Sequence, residues 1–267
     1  MPDTLSRAAL GLLAAVAIAL VARRSGSLST SGAVAASAVG MTAVAADWGW
    51  GALLVLYFVL SSLLSHAGSA EKARRTAGIV EKGGARDATQ VLANGGVFAL
   101  CCLGVLAADQ SSARLFAAAA AGSLAAATAD TWATEIGTLF GGVPRAALTF
   151  RAVPPGTSGA LSAAGIVAMI AGALGIAIIA RLLGLSDHFA AVTAAGCVGA
   201  MTDTLLGAVA QDRRWCDECS RATERRRHDC GTVTRHVGGM AAVDNDAVNL
   251  LATLAGAVSA TLLAFVW

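Results

Sequence analysis

Uncharged apolar stretches approaching or exceeding twenty residues recur from one end of the chain to the other. Crossing a bilayer core takes roughly 20 helical residues. Such runs, in a chain that is 56% apolar and 13% charged, leave few folds open. Aromatics are scarce and Ala and Gly abundant, which suits helices packed closely through small residues. A β-barrel would alternate in polarity along each strand. The expected architecture is therefore all-α: a polytopic integral membrane helix bundle, one membrane domain over residues 1–267 with about eight spans (range six to eight). Their expected bounds are 7–23, 30–47, 50–66, 88–108, 114–134, 159–182, 189–209 and 246–266. The first has no clear cleavage site after it and reads as a retained helix, not a signal peptide.

With eight spans the connecting segments fall alternately on two sides, and the basic residues do not divide evenly. All of the 19 Lys and Arg except Arg7, Arg114 and Arg181 fall on one side. The positive-inside rule assigns that side to the cytoplasm, with both termini outside, in a multi-pass protein of the cell membrane. Residues 211–240 then form a cytoplasmic loop rich in Cys and His.

The same topology gathers the acids of the apolar runs, Asp47 excepted, at one mouth. Only fifteen uncharged residues separate Arg114 from Asp130, so a spanning helix must continue through Asp130 to about Glu135. Charge at that depth marks an ion or substrate site by default. In ADTWATEIG, Asp130 and Thr134 share a helix face, as do Thr131 and Glu135. Acid beside hydroxyl suits a hard cation such as Mg²⁺, which prefers oxygen ligands and retains waters that phosphate can displace. Asp203, between Thr202 and Thr204, repeats the pattern, and Asp244, Asn245, Asp246 and Asn249 open the last span. Against this stand plainer readings: Asp130 as a polar contact between helices, and Asp244 to Asn249 as a helix cap.

Two loops reach the same mouth, Glu81 to Asp87 and Gly141 to Gly159. Gly156, Thr157, Ser158 and Gly159 are expected to present backbone N–H groups at the start of span six, where phosphate binds well, with Arg145 and Arg151 adding charge. An ordinary Pro-Gly helix entry explains the segment equally. No Walker A motif occurs. In the loop CDECSRATERRRHDCG, Cys216, Cys219, His228 and Cys230 can close a tetrahedral structural zinc site; unliganded thiols are the alternative. Cys101, Cys102 and Cys197 lie in apolar runs and read as packing. Arg225 to Arg227 suit anionic lipid, and nucleic acid is not expected because no aromatic platform accompanies them. His66, His188 and His236 receive no role.

The ordered blocks RDATQVLANGG, ADTWATEIG, PPGTSG, TDTLLGA, TERRRHDCG and DNDAVNLLATL, from Arg86 to the C-terminus, resemble those of the Transmembrane Protein 19 family, the domain of unknown function 92, which includes phytyl-phosphate kinases. ADTWATEIGTLFG is also similar to the GDxxAxxxGxxFG pattern of phytol kinases, dolichol kinases and phosphatidate cytidylyltransferases, with Ala129 replacing the leading glycine. The resemblance implies phosphoryl transfer from a nucleoside triphosphate, CTP or similar, to an isoprenoid monophosphate whose tail lies among the helices. The expected Mg²⁺ carriers are Asp130, Asp203 and Asp246, with Glu135 and Asp244 as catalytic helpers. Arg86, Arg145 and Arg151 are the expected phosphate clamps. Asn94, Thr131, Thr134, Gly156, Thr157, Ser158, Asn245 and Asn249 complete the expected substrate site. A transporter of an anionic lipid or small anion is the main alternative, and a membrane scaffold the third.

Overall fold

The computed structural model describes residues 4–76, 79 and 84–266, so Glu81, Lys82 and Gly83 of the Glu81–Asp87 loop lie outside the described residues. Eight long helices run through it: α1 (Thr4–Arg24), α2 (Thr30–Ala46), α3 (Trp48–His66), α5 (Ala88–Ala107), α6 (Gln110–Phe140), α7 (Ala163–Leu182), α8 (Phe189–Val209) and α9 (Asn245–Val266). A short helix, α4 (Ser69–Arg75), follows α3. Six of them, α1, α3, α5, α7, α8 and α9, are long and apolar enough to cross a membrane; α2 is apolar but shorter, at 17 residues. This is a helical integral membrane protein.

Local chemistry sets where the helices begin. Ser29 accepts from Gly32 N, Asp47 from Gly49 N, and Asp109 from Ser111 N and Ser112 N. Asp87 and Gln90 form a reciprocal capping box at the start of α5. Each satisfies backbone donors that the first helical turn leaves without a partner. The expected start of span six at Gly159 is corrected by the same logic. Ser162 is the cap, taking Gly165 N at 3.1 Å, so α7 starts at Ala163 and Gly156 to Gly159 lie in a turn before it.

The fifth expected span, 114–134, is the longer helix α6. Its 31 residues measure about 46 Å, longer than a hydrocarbon layer about 30 Å thick. Every residue from Ala117 to Ala129 is buried, because α3, α5, α7, α8 and α9 all pack on this helix. Apart from Leu124, every side chain in this stretch is Thr or smaller, which allows five neighbours so close. At Gly122 a Cβ would stand 2.4 Å from the Ala260 methyl and 2.7 Å from the Gly256 carbonyl oxygen. Gly122→Ala is expected to cost about 1–3 kcal/mol by overpacking. Thermal unfolding in detergent checks this, with Gly175→Ala, which meets nothing within 4 Å, as the neutral control.

The polar ends of the helices converge as the alternating topology requires. The α1–α2 turn pairs with the residue before α5, through Ser29 N to Arg86 O and Arg86 N to Ser27 O, both 3.0 Å. The end of α3 meets the end of α6 through Ser65 Oγ, 2.6 Å from Glu135. Short strands occur only in the loops on this face, among the described residues: β1 (Arg145–Ala146) with β2 (Ala160–Leu161), and a three-stranded antiparallel sheet in the order β4 (Arg221–Thr223), β3 (Arg213–Cys216), β5 (Arg235–Gly238) between α8 and α9.

Candidate functional site

Asp130 on α6 and Asp203 on α8 bring their carboxyls close enough to act on each other. Small residues one turn earlier make this approach possible. Gly199 of α8 lies against Ala126 of α6, and a Cβ on it would stand 2.8 Å from the Ala252 carbonyl oxygen of α9. Four residues onward along α6 and α8 reach Asp130 and Asp203, and three residues back along α9 reach Asn249. Each is a step of about one turn, so Asn249 stands at the level of the pair, with buried Asp246 one turn beyond it. Two carboxylates this close need a shared proton or a cation between them. The Asp203 Oδ2 atom is sealed from solvent with no hydrogen-bond partner among the described residues. A hard cation ligated by oxygen meets both conditions.

On the α3 side of α6, Thr131 and the buried Tyr57 both line a groove between α1, α2, α3 and α5. The groove has a cavity volume of about 120 Å³ and is walled by residues such as Ala15, Ile18, Leu28, Val39, Leu54 and Phe58. Its polar lining consists of Tyr57, Arg86, Gln90, Asn94 and Thr131. Backbone pairing with the α1–α2 turn fixes Arg86, whose guanidinium reaches Ser65 Oγ at 3.3 Å. An apolar groove thus carries a cation in its lining, and Asp130 lies close enough to Tyr57 in its wall to act on it electrostatically.

A third acid approaches from the loop sheet. Glu224, just past β4, hydrogen-bonds the Ser158 hydroxyl and lies close enough to Asp203 to act on it electrostatically. The Glu224 N–H donates to Ile79 O at 2.9 Å, tying this sheet to the segment ahead of α5.

Several expected members of the site have other occupations. Both oxygens of Glu135 are engaged, by Lys72 Nζ at 2.5 Å and by Ser65, and Lys72 also caps the end of α3 through Leu64 O and Ser65 O. Glu135 therefore ties α3, α4 and α6 together. Asp244 is an exposed cap, accepting Ala247 N at 2.9 Å, and Asn245 is the exposed first residue of α9; the capping reading applies to both. Thr134 is exposed, and Thr131, Thr202 and Thr204 donate to carbonyls four residues back on their own helices. Arg145 folds back onto Phe150 O at 2.8 Å, and Arg151 is exposed, its carbonyl taken by Ala146 N. Thr157 closes its own turn on Pro154 O, leaving Ser158 as the member of that loop tied to the acids. Asn94 donates to Gln90 O at the groove wall.

In the loop sheet the ligating atoms of Cys216, Cys219, His228 and Cys230 all lie within 4.8 Å of one another. Hydrogen bonds from Thr232, then from His228, draw the Cys230 thiol down to about 6, while its hydrogen bond with Cys230 drives Cys219 up to about 11. At the base of the sheet, burial raises the Asp212 carboxyl, but hydrogen bonds from His236 and Arg214 outweigh it and hold it below the usual carboxylate range.

Sequence reasoning missed Tyr57, Ser65, Lys72 and Glu224. Tyr57 sits in an apolar run whose pattern marks it only as core. Glu224 stood in the quoted block TERRRHDCG, where the cysteines drew the interpretation away from it.

The sequence matches the model of the family described as Integral membrane protein DUF92 over residues 13–257. It is 28% identical to Protein PGR of Arabidopsis thaliana, over 91% of this chain and 92% of that one. An uncharacterized membrane protein of Methanocaldococcus jannaschii is 31% identical over 78% of this chain and 84% of its own. One from Synechocystis is 31% identical over 62% and 65%. No solved structure matches. With the family model covering nearly its whole length, this chain belongs to the DUF92 family of integral membrane proteins.

Proposed function

We propose that the protein is an isoprenoid-monophosphate kinase, transferring the γ-phosphoryl group of CTP or ATP to a prenyl monophosphate. The observation that carries this reading is an apolar groove whose lining holds Arg86, Tyr57 and Thr131, with Asp130 close enough to Tyr57 to act on it electrostatically. Such a trough suits an amphiphile with a long apolar tail and a small anionic head. In the reaction an oxygen of the acceptor phosphate bonds to the γ-phosphorus, the bond to the β–γ bridging oxygen breaks, and the nucleoside diphosphate leaves. Catalysis of this kind is mainly positioning and charge neutralisation.

The chain's own residues divide that work. Arg86 holds the acceptor phosphate, and the groove holds its tail. Asp130 and Asp203, with Asp246 and Asn249 behind them, would hold Mg²⁺; the closeness of the two carboxyls and the unpartnered Asp203 Oδ2 support that fit. When bound, Mg²⁺ supplies positive charge against the phosphate oxygens. Ser158 and Glu224 border the same acids from the loop side. The excess of Lys and Arg on this face supports a cytoplasmic mouth, where the nucleotide is available.

The test is formation of a labelled prenyl diphosphate from γ-labelled CTP or ATP and geranylgeranyl or phytyl phosphate, by purified protein in detergent with Mg²⁺. Transfer is expected. Its absence with every donor and acceptor, together with flux of the prenyl phosphate across reconstituted vesicles, replaces the kinase with a transporter.

A further inference from the structure

We propose that Cys216, Cys219, His228 and Cys230 bind one structural Zn²⁺ that pins the loop sheet over the carboxyl site. The four ligating atoms lie within 4.8 Å of one another although the sequence separates the outer two by fourteen residues. The Cys216 and Cys230 sulfurs are 3.6 Å apart. A disulfide needs about 2.05 Å. With zinc–sulfur bonds of about 2.3 Å, the edge of a tetrahedron is about 3.8 Å, which is close to the observed separation. The Cys230 sulfur is 3.3 Å from His228 Nδ1, while Nε2 of the same ring is buried without a hydrogen-bond partner. One ring nitrogen is thus directed at the cluster.

The surrounding backbone is built for such a centre. Cys216 ends β3 and pairs with Arg221 of β4, so Cys219 stands in the tight turn between them, which Ser220 closes at a φ of 48°. A second turn presents the other two ligands: His228 N donates to Thr232 O and Gly231 N to His228 O, at 3.0 and 2.8 Å. Little apolar packing holds these two turns together, since Cys216 is the only buried hydrophobic residue between 213 and 238. A metal joining them supplies what a core this small lacks. The strand leaving the first turn, β4, ends one residue before Glu224, so a pinned turn fixes the reach of that carboxylate toward Ser158 and Asp203.

The measurement is metal content by mass spectrometry of full-length protein carrying a tag without histidine, purified in detergent without chelator. About one zinc per chain is expected, falling to background in the Cys216→Ser/Cys219→Ser double variant. Should that variant fail to fold, cobalt added to chelator-treated wild type must give the intense visible bands of a tetrahedral thiolate site. Wild type without zinc and without those bands overturns the proposal, as does a variant that keeps its zinc or an intramolecular disulfide in protein made under reducing conditions. None of these outcomes depends on phosphoryl transfer, so the zinc site and the kinase can fail separately.

Discussion

Asp130→Asn is expected to yield a protein that folds normally and transfers phosphoryl groups at least about a hundredfold more slowly than wild type. The structural part of the expectation follows from the closeness of Asp203. An Asn amide can donate to a neighbouring carboxylate, so the α6–α8 approach survives. Side-chain size is retained, and the Ala and Gly packing one turn away is untouched. The chemical part follows from charge. Replacing a metal-binding carboxylate removes several kcal/mol of stabilisation where phosphate charge develops, and each 1.36 kcal/mol is about tenfold in rate. The comparison is made at equal folded protein, with unfolding temperature and size-exclusion profile as controls. Near-normal transfer by a folded Asn variant would reduce Asp130 to a polar contact between helices.

Arg86→Gln is expected to act on the acceptor instead, raising the KM for prenyl monophosphate about 10- to 100-fold with a smaller change in kcat. A hydrogen bond to a charged group contributes about 1.5–3 kcal/mol, and the Arg86 guanidinium is available to make such a bond with phosphate from the groove lining. The main-chain ties of Arg86 to Ser27 and Ser29 do not use its side chain, so the turn they form persists. Arg86→Lys should recover part of the loss, because it keeps the charge but not the two-pronged geometry. An unchanged KM in the Gln variant would remove Arg86 from the acceptor site.

The parts of this molecule that were legible in its sequence are those governed by local rules. Apolar length placed α1, α2, α3, α5, α8 and α9 to within three residues at each end, whereas the cap Asp109 starts α6 at Gln110, four residues before the expected 114. The shortness of the run before Asp130 required α6 to continue into polar territory, as it does. The start of α7 was misplaced because Gly and Pro signal a turn without fixing which later residue caps the helix; Ser162 does so through a single hydrogen bond. The pairing of Asp130 with Asp203 was only half legible. Both acids were visible, but their approach depends on Gly199 admitting α6 and α9 at close range, a tertiary fact without sequence periodicity. Glu135 looked equivalent to Asp130 by spacing, yet Lys72, 63 residues away, claims it. The groove was invisible because its walls come from four helices, each with an ordinary apolar face.

For prenyl-phosphate transfer the apolar groove and the carboxyl pair must serve one substrate as two parts of one site. A prenyl monophosphate carrying a photoreactive diazirine in its terminal isoprene unit tests it most directly, by cross-linking in membranes followed by peptide mapping. Label is expected in α1 between Ala15 and Ala22 and in α3 between Leu54 and Phe58, displaced by excess unlabelled prenyl monophosphate and reduced in Arg86→Gln. Label confined to the outer faces of α7 and α8, or undiminished by competitor, would contradict it.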